Sequence, residues 1–141
     1  MTESYRIEVR TVDGGPTALG WGKGASVVVD RSTTAGGRSL GFSGGQLLYM
    51  AVAACWSNDL YREAVTMGIV LRRVAVTVDG DFSARGSAST PIEVRIEVEG
   101  DASEERLAEL VGVVESVAEI PRTIREGVAV SLVERRLVSR S

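Results

Sequence analysis

Cys55 is the residue with the clearest capacity for chemistry, because it is the only cysteine among 141 residues and the chain contains no histidine. A single thiol excludes an intramolecular disulfide and a paired-cysteine metal site. The lack of imidazole excludes a Ser-His or Cys-His nucleophilic pair. Any catalysis must therefore use a lone thiol, carboxylates, basic side chains or backbone dipoles, and we expect neither a metal nor a cofactor.

Two charged residues follow the thiol at helical spacing, Asp59 after one turn and Arg62 after two. Arg62 would favour ionisation of Cys55 and Asp59 would oppose it, and the sequence leaves open which of the two lies closer. A second interpretation also stays open. Cys55 would then be a small buried residue in the packing of a helix, and Asp59 and Arg62 a solvated ion pair.

The residues from Ser43 to Gly68 are predicted to form the central helix that positions the thiol. Ser43 and Gln46 have the spacing of a capping box, and Gly68 is a typical helix stop. Every residue at positions 47–56 is apolar. A helix that is apolar all round must be enclosed on all sides, so we expect a sheet on one face and a second copy of the chain on the other. The apolar run is too short to span a bilayer.

Alternating and helical patterns on either side of this helix predict a two-layer α+β fold in a single domain of residues 1–141. Residues 92–99 alternate without a break, so one face of that sheet should be exposed to water. Asp101 and Glu104 have capping-box spacing, and Ile120-Pro121 should end the helix that they begin. The predicted elements besides the central helix are strands at 4–12, 18–21, 26–30, 69–82, 92–99 and 128–137, a loop at 31–45, a helix at 101–119 and a turn at 122–126.

The net charge of −3 gives no electrostatic reason to expect binding to nucleic acid or to an anionic membrane. The first ten residues, MTESYRIEVR, contain no apolar leader segment. We therefore expect a cytoplasmic protein.

Three stretches taken together resemble the OsmC/Ohr family of osmotically inducible and organic hydroperoxide resistance proteins. They are GGRSLGFSGGQLLYMAVAACWSNDL at 36–60, the pattern A-x-x-x-G-I-x-L-x-x-V-x-V at 64–76, and the late Ile120-Pro121. The resemblance implies an α+β fold in which antiparallel sheets wrap around a long central helix. It also implies an intertwined homodimer, in agreement with the helix that is apolar on all sides.

The resemblance further implies thiol-dependent reduction of organic hydroperoxides. In active members a cysteine on the central helix becomes a sulfenic acid, and a second cysteine in a Cys-Pro step closes a disulfide that a lipoyl dithiol reduces. An arginine from the N-terminal part and a glutamate at the start of the central helix activate the first cysteine.

Carried over to this chain, the resemblance matches Cys55 to the peroxide-reducing cysteine. Ile120 replaces the second cysteine, and Gly45, next to Gln46, replaces the glutamate. Lys23 is the only basic residue between positions 11 and 30, so the arginine has no direct counterpart. The residues that could stabilise the thiolate or line a pocket around it are Lys23, Arg31, Arg38, Gln46, Asp59 and Arg62.

Two functions are compatible with these substitutions. The first is a one-cysteine peroxidase of weak or altered activity that depends on an external dithiol reductant. The second is a non-catalytic dimer that binds a small apolar ligand at the subunit interface. Both assign the same fold to the chain, and they differ in whether Cys55 ionises and can be reached.

Overall fold

The computed structural model describes residues 3–140 and has a mixed α+β architecture, as the sequence predicts. The strands and helices follow one another in the predicted order up to residue 126, and a short 3-10 helix, Thr33–Ala35, lies in the predicted loop. The elements are β1 (Glu8–Thr11), β2 (Ala18–Gly22), β3 (Ala25–Val29), α1 (Gly44–Met67), β4 (Leu71–Asp79), β5 (Glu93–Gly100), α2 (Glu104–Val117) and α3 (Glu119–Glu126). No helix within residues 3–140 is long and apolar enough to cross a membrane.

The chain divides into two compact units. The first contains the residues up to Ala54 together with Ala75–Glu97, and the second contains Cys55–Val74 together with the residues from Val98 onward. The division falls within α1, β4 and β5, each of which is continuous in the chain. A single domain of residues 1–141 stays a prediction.

The first unit contains an antiparallel meander in the order β1-β2-β3. Strand β1 is shorter than the predicted strand at 4–12, because its pairing runs only from Glu8 opposite Trp21 to Thr11 opposite Ala18. Gly20 lies in the middle of the sheet, opposite Val9 on one side and Val27 on the other.

Asp30 fixes the loop between β3 and α1. The residue is only 3 % exposed, and its carboxylate accepts a hydrogen bond of 3.0 Å from the Thr17 hydroxyl. It also accepts from the backbone amides of Arg31 at 2.8 Å, Arg38 at 3.2 Å and Leu40 at 3.2 Å. A buried carboxylate is stable only when its oxygens are satisfied in this way, so the loop conformation depends on this one side chain.

Helix α1 begins with the predicted capping box. The amide of Ser43 donates to the side-chain oxygen of Gln46 at 2.8 Å, and the amide of Gln46 donates to the Ser43 hydroxyl at 3.3 Å. The helix ends before Gly68, whose φ of +69° is the left-handed conformation expected of a helix stop. Both predicted boundaries are confirmed.

Only one stripe of α1 is well buried. Val52, Trp56, Leu60 and Ala64 recur every four residues and are all nearly inaccessible to solvent. Other apolar side chains of the helix remain exposed, including Met50, Tyr61 and Val65, the last of which is 80 % exposed.

Strands β4 and β5 pair to form a second sheet. Residues Ile92, Val94, Ile96 and Val98 are half-buried, and the charged residues between them are exposed. The prediction that one face of this strand meets water is confirmed. Strand β4 runs from Leu71 to Asp79 and is therefore shorter than the predicted strand at 69–82.

Helix α2 belongs to the second unit and contributes its core residues Leu110 and Val114. The predicted cap at Asp101 is wrong. The residue at the cap is Ser103, whose hydroxyl accepts from the amide of Arg106 at 3.2 Å. Asp101 forms an ion pair with Arg72 instead, because the tertiary structure brings this guanidinium to it.

The boundary between α2 and α3 also differs from the prediction. Helix α2 ends at Val117, and Ile120-Pro121 lies in the first turn of α3, which ends before Gly127 at a φ of +59°. Proline is tolerated there because the first amides of a helix have no partner within it.

The predicted strand at 128–137 is wrong for the isolated chain. Residues 128–140 contain neither helix nor strand, and we call them the C-terminal segment. Its apolar side chains are exposed, with Val130 at 97 % and Leu132 at 85 %. An apolar pattern produces a strand only when a neighbouring strand accepts its hydrogen bonds.

Asp30→Asn should lower the melting temperature at neutral pH, because an amide accepts fewer of these hydrogen bonds than a carboxylate. Burial raises the pKa of Asp30, but the amides of Leu40, Arg31 and Arg38 and the Thr17 hydroxyl outweigh it, so the pKa lies below its ordinary 3.8. The stabilisation by Asp30 is therefore fully present above 3.8 and lost as the pH falls through the lower folded pKa.

Thermal unfolding at pH 7 and near pH 3 measures this difference, with Asp81→Asn on the exposed 81–88 loop as the control. The difference in melting temperature between Asp30→Asn and the unsubstituted chain should be smaller near pH 3 than at pH 7. An equal difference in melting temperature at both pH values would contradict the assignment of this stabilisation to the ionised Asp30 carboxylate.

Candidate active site

Cys55 lies on α1 and is half-buried. Its thiol faces Asp59, one helical turn further along, with a distance of 3.7 Å between Sγ and Oδ2. The thiol is the donor and the carboxylate oxygen the acceptor. Asp59 is therefore the charged residue that contacts the sulfur, which answers the question that spacing alone left open.

Asp59 forms an ion pair with Arg62. The Asp59 side chain is buried, at 7 % exposure for the residue, and its Oδ1 lies 3.3 Å from the Arg62 guanidinium. The same guanidinium also pairs with the neighbouring Glu63 at 3.2 Å. The positive charge of Arg62 is thus shared between two carboxylates.

The first turn of α3 supplies backbone donors to the thiol. The backbone amides of Ile120 and Glu119 lower the pKa of the Cys55 thiol and so favour the thiolate. Consideration of the central helix alone does not reveal these donors, because they come from a different helix. The resemblance of Ile120-Pro121 to the Cys-Pro step of the family is the feature of the sequence that points to this region.

The balance of these influences keeps the thiol protonated. Burial is the largest and raises the pKa of Cys55, the amides of Ile120 and Glu119 lower it, and the negative charge of Asp59 raises it again. The net pKa is above the ordinary value for cysteine. At neutral pH only a small fraction of Cys55 is thiolate.

Two of the predicted basic residues take part in the structure of the first unit. Arg38 donates to Asp13 at 2.7 Å and to the Thr17 hydroxyl at 3.3 Å. Arg31 is exposed, and its backbone amide donates to Asp30.

The other two predicted residues in this unit are Lys23 and Gln46. Lys23 is exposed and lines a groove of the first unit. Gln46 caps α1 with its side chain. A role at the thiol stays a prediction for these two residues and for the two arginines of the loop.

Phe82 lies close to Gly45, the position that matches the family glutamate. A side chain on Gly45 would place its first carbon 3.1 Å from the ring of Phe82. Phe82 stacks on Tyr49 with 5.9 Å between ring centroids, and the Tyr49 hydroxyl lies 2.7 Å from that of Ser89. A side chain at position 45 would therefore require the Phe82 ring to shift by a few tenths of an ångström.

An open groove with a volume of about 1020 Å³ lies in the first unit, between the meander and the first half of α1. Most of its wall is apolar, with side chains that include Ile7, Val9, Trp21, Val27, Leu47 and Met50. Its volume would accommodate a ligand of moderate size. No group of three or more His, Cys, Asp or Glu residues within positions 3–140 could hold a metal ion.

The family model described as OsmC-like protein matches residues 36–133, more than half of the chain. Among solved structures, the OsmC-like protein of Mycoplasma pneumoniae is 18 % identical with a TM-score of 0.75, covering 89 % of each chain. No functionally curated protein is significantly similar in sequence.

Two further structures carry names that refer to hydroperoxide. The organic hydroperoxide resistance protein OsmC of Legionella pneumophila is 15 % identical with a TM-score of 0.66, covering 89 % of this chain and 91 % of its own. The organic hydroperoxide resistance protein OhrB of Bacillus subtilis is 19 % identical with a TM-score of 0.57, covering 86 % and 90 %. At these identities the similarity establishes the fold alone.

Ile120→Cys should place a second thiol near Cys55, because the backbone amide of residue 120 lies close enough to lower the pKa of that thiol. One equivalent of cumene hydroperoxide should then close a disulfide within the chain, seen by mass spectrometry without reductant as the loss of two hydrogens. Val130→Cys is the control, since that position lies in the exposed C-terminal segment. Equal yields of internal disulfide in both variants would contradict the proximity of position 120 to the thiol.

Proposed function

Because the chain belongs to the OsmC-like family, we propose that it reduces organic hydroperoxides with Cys55, as a one-cysteine peroxidase that needs an external dithiol. The observation that carries the proposal is that the OsmC-like family model covers residues 36–133, which include Cys55, the single cysteine of the chain. The backbone amides of Glu119 and Ile120 at the start of α3 lower the pKa of this thiol. They would stabilise the negative charge that the sulfur must carry to act as a nucleophile.

The reaction begins when the Cys55 thiolate attacks the outer oxygen of the hydroperoxide. The O–O bond breaks, an S–O bond forms, and the alkoxide takes a proton from solvent and leaves as an alcohol. Cys55 is thereby oxidised to a sulfenic acid while the hydroperoxide is reduced.

The resting thiol is regenerated without a second cysteine in the chain. One thiol of the external dithiol attacks the sulfenic sulfur, releases water and forms a mixed disulfide. The other thiol then breaks this bond, which frees Cys55 and leaves the reductant as a disulfide. The cycle requires a reducing compartment, and we therefore place the protein in the cytoplasm.

The rate of the first step should be low at neutral pH. Little thiolate is present, because burial and the charge of Asp59 raise the pKa of Cys55. Gly45 carries no side chain at the position that matches the activating glutamate of the family. These features support weak or altered activity.

We further propose that two copies of the chain intertwine as a homodimer. The exposed apolar side chains of α1 and of the C-terminal segment support it, since Val65, Val130 and Leu132 are all at least 80 % exposed. Burying one such side chain contributes about 1.5–3 kcal/mol, so a shared interface would be strongly favoured. In the dimer the C-terminal segment would gain a strand of the partner subunit as its neighbour.

The second candidate function is a non-catalytic dimer that binds a small apolar ligand. The groove of about 1020 Å³ in the first unit is the observation that favours it. If the partner subunit fills the groove, a ligand has no place there.

Treatment with one equivalent of cumene hydroperoxide and a sulfenic-acid trap should label Cys55, with more label at pH 9 than at pH 7 because the thiol has a raised pKa. Mass spectrometry locates the adduct, and Cys55→Ser is the control that should remain unlabelled. No adduct at either pH would eliminate the peroxidase and leave the ligand-binding dimer as the better candidate.

Leu132→Asp should shift the dimer towards monomers, because a charge cannot be buried in an apolar interface without a partner. Light scattering at micromolar concentration measures the mass. Ser131→Asp introduces the same charge one position away and should weaken the dimer less, since adjacent strand residues face opposite sides. A well-folded monomer of the unsubstituted chain would refute the dimer.

A further inference from the structure

Three side chains of α1 form a continuous polar path that begins at the sulfur. The Cys55 thiol donates to Oδ2 of Asp59, and Oδ1 of Asp59 pairs with Arg62. Asp59 is almost completely buried, so water cannot screen its charge from the sulfur as it would at the surface. The positions of the Asp59 and Arg62 charges relative to the sulfur influence whether Cys55 is a thiol or a thiolate.

The charged groups that face the site come from two helices. Helix α1 contributes Asp59, Arg62 and Glu63, with the carboxylates on either side of the guanidinium. Helix α3 contributes the amides of its first turn, which favour the thiolate, and the carboxylate of Glu119, which interacts electrostatically with Arg62. The only cation of this group is therefore engaged by carboxylates and not by the sulfur.

We propose that Asp59 is a positioning residue that holds Cys55 as a neutral thiol aimed along α1 and sets the pH above which this cysteine reacts. The contact with Asp59 is lost when the proton leaves, and a negative sulfur would then lie beside a negative carboxylate. Arg62 pairs with the Asp59 carboxylate and reduces this repulsion. The proposal deepens the peroxidase assignment and rests on it for the reaction, but it concerns the thiol itself.

The resulting site differs in kind from one in which a cation activates the cysteine. Reactivity depends on two opposing elements, the amides of α3 that stabilise the thiolate and the Asp59 carboxylate that stabilises the thiol. Neutralising Asp59 leaves the amides unopposed except by burial. Removing Arg62 has the opposite effect, because the negative charge of Asp59 is then less compensated.

Alkylation of Cys55 by iodoacetamide, measured by mass spectrometry from pH 6 to pH 10, tests the proposal without any peroxide. Asp59→Asn should move the midpoint of the rate profile to lower pH and raise the rate at pH 7 by about 3- to 10-fold. Arg62→Gln should move the midpoint to higher pH. This second substitution is at a largely exposed side chain, so it keeps the test valid if Asp59→Asn does not fold.

Asp101→Asn is the matched control, because it removes an exposed carboxylate of the same unit that pairs with Arg72. Its midpoint should equal that of the unsubstituted chain. A purely structural role for Asp59 would lower thermal stability without moving the midpoint. An unmoved midpoint in both Asp59→Asn and Arg62→Gln, or a shift of either in the wrong direction, would overturn the proposal.

Failure of this inference and failure of the peroxidase assignment can be told apart. A shifted alkylation profile together with no sulfenic acid after hydroperoxide would retain the role of Asp59 and reject peroxide reduction. Sulfenic acid formation with an unshifted alkylation profile would retain peroxide reduction and reject the role of Asp59.

Discussion

Helix α1 presents more apolar surface than its own chain covers, and the rest of the structure depends on this constraint. One stripe, from Val52 to Ala64, is buried, while Met50, Tyr61 and Val65 stay exposed. A soluble helix with exposed apolar faces needs a further partner. The C-terminal segment has the same requirement, because its apolar side chains lie against no strand. A second copy of the chain would meet both requirements at once.

The same helix sets the chemistry of the thiol. Cys55 lies too far along α1 to benefit from the N-terminus of that helix, since the effect of a helix dipole fades within a turn. The donors come instead from α3, and the acceptor comes from Asp59 on α1 itself. Cys55 therefore receives stabilisation of both its protonated and its ionised form. Burial and the Asp59 carboxylate together raise the pKa of Cys55 more than the amides lower it, so the thiol form predominates.

The substitutions relative to the OsmC/Ohr pattern are consistent with one another. Ile120 keeps its backbone beside the sulfur but carries no thiol, so the chain cannot resolve a sulfenic acid by itself. Gly45 lacks a side chain, and the ring of Phe82 lies close to it. A side chain restored there would require this ring, which stacks on Tyr49, to shift by a few tenths of an ångström. If Cys55 forms a sulfenic acid, its reduction must therefore use thiols from outside the chain.

The sequence by itself determined the features that depend on neighbours along the chain. The capping box of Ser43 and Gln46 and the stop at Gly68 gave the limits of α1, because caps bond within a few residues. The alternation at 92–99 predicted which side chains of β5 face water, because successive residues of a strand point to opposite faces. Tertiary structure decided the rest. Ser103 rather than Asp101 caps α2, since Arg72 from a distant strand binds Asp101. The amides of α3 reach Cys55 only because the fold brings two helices together, and no spacing within the sequence records that approach.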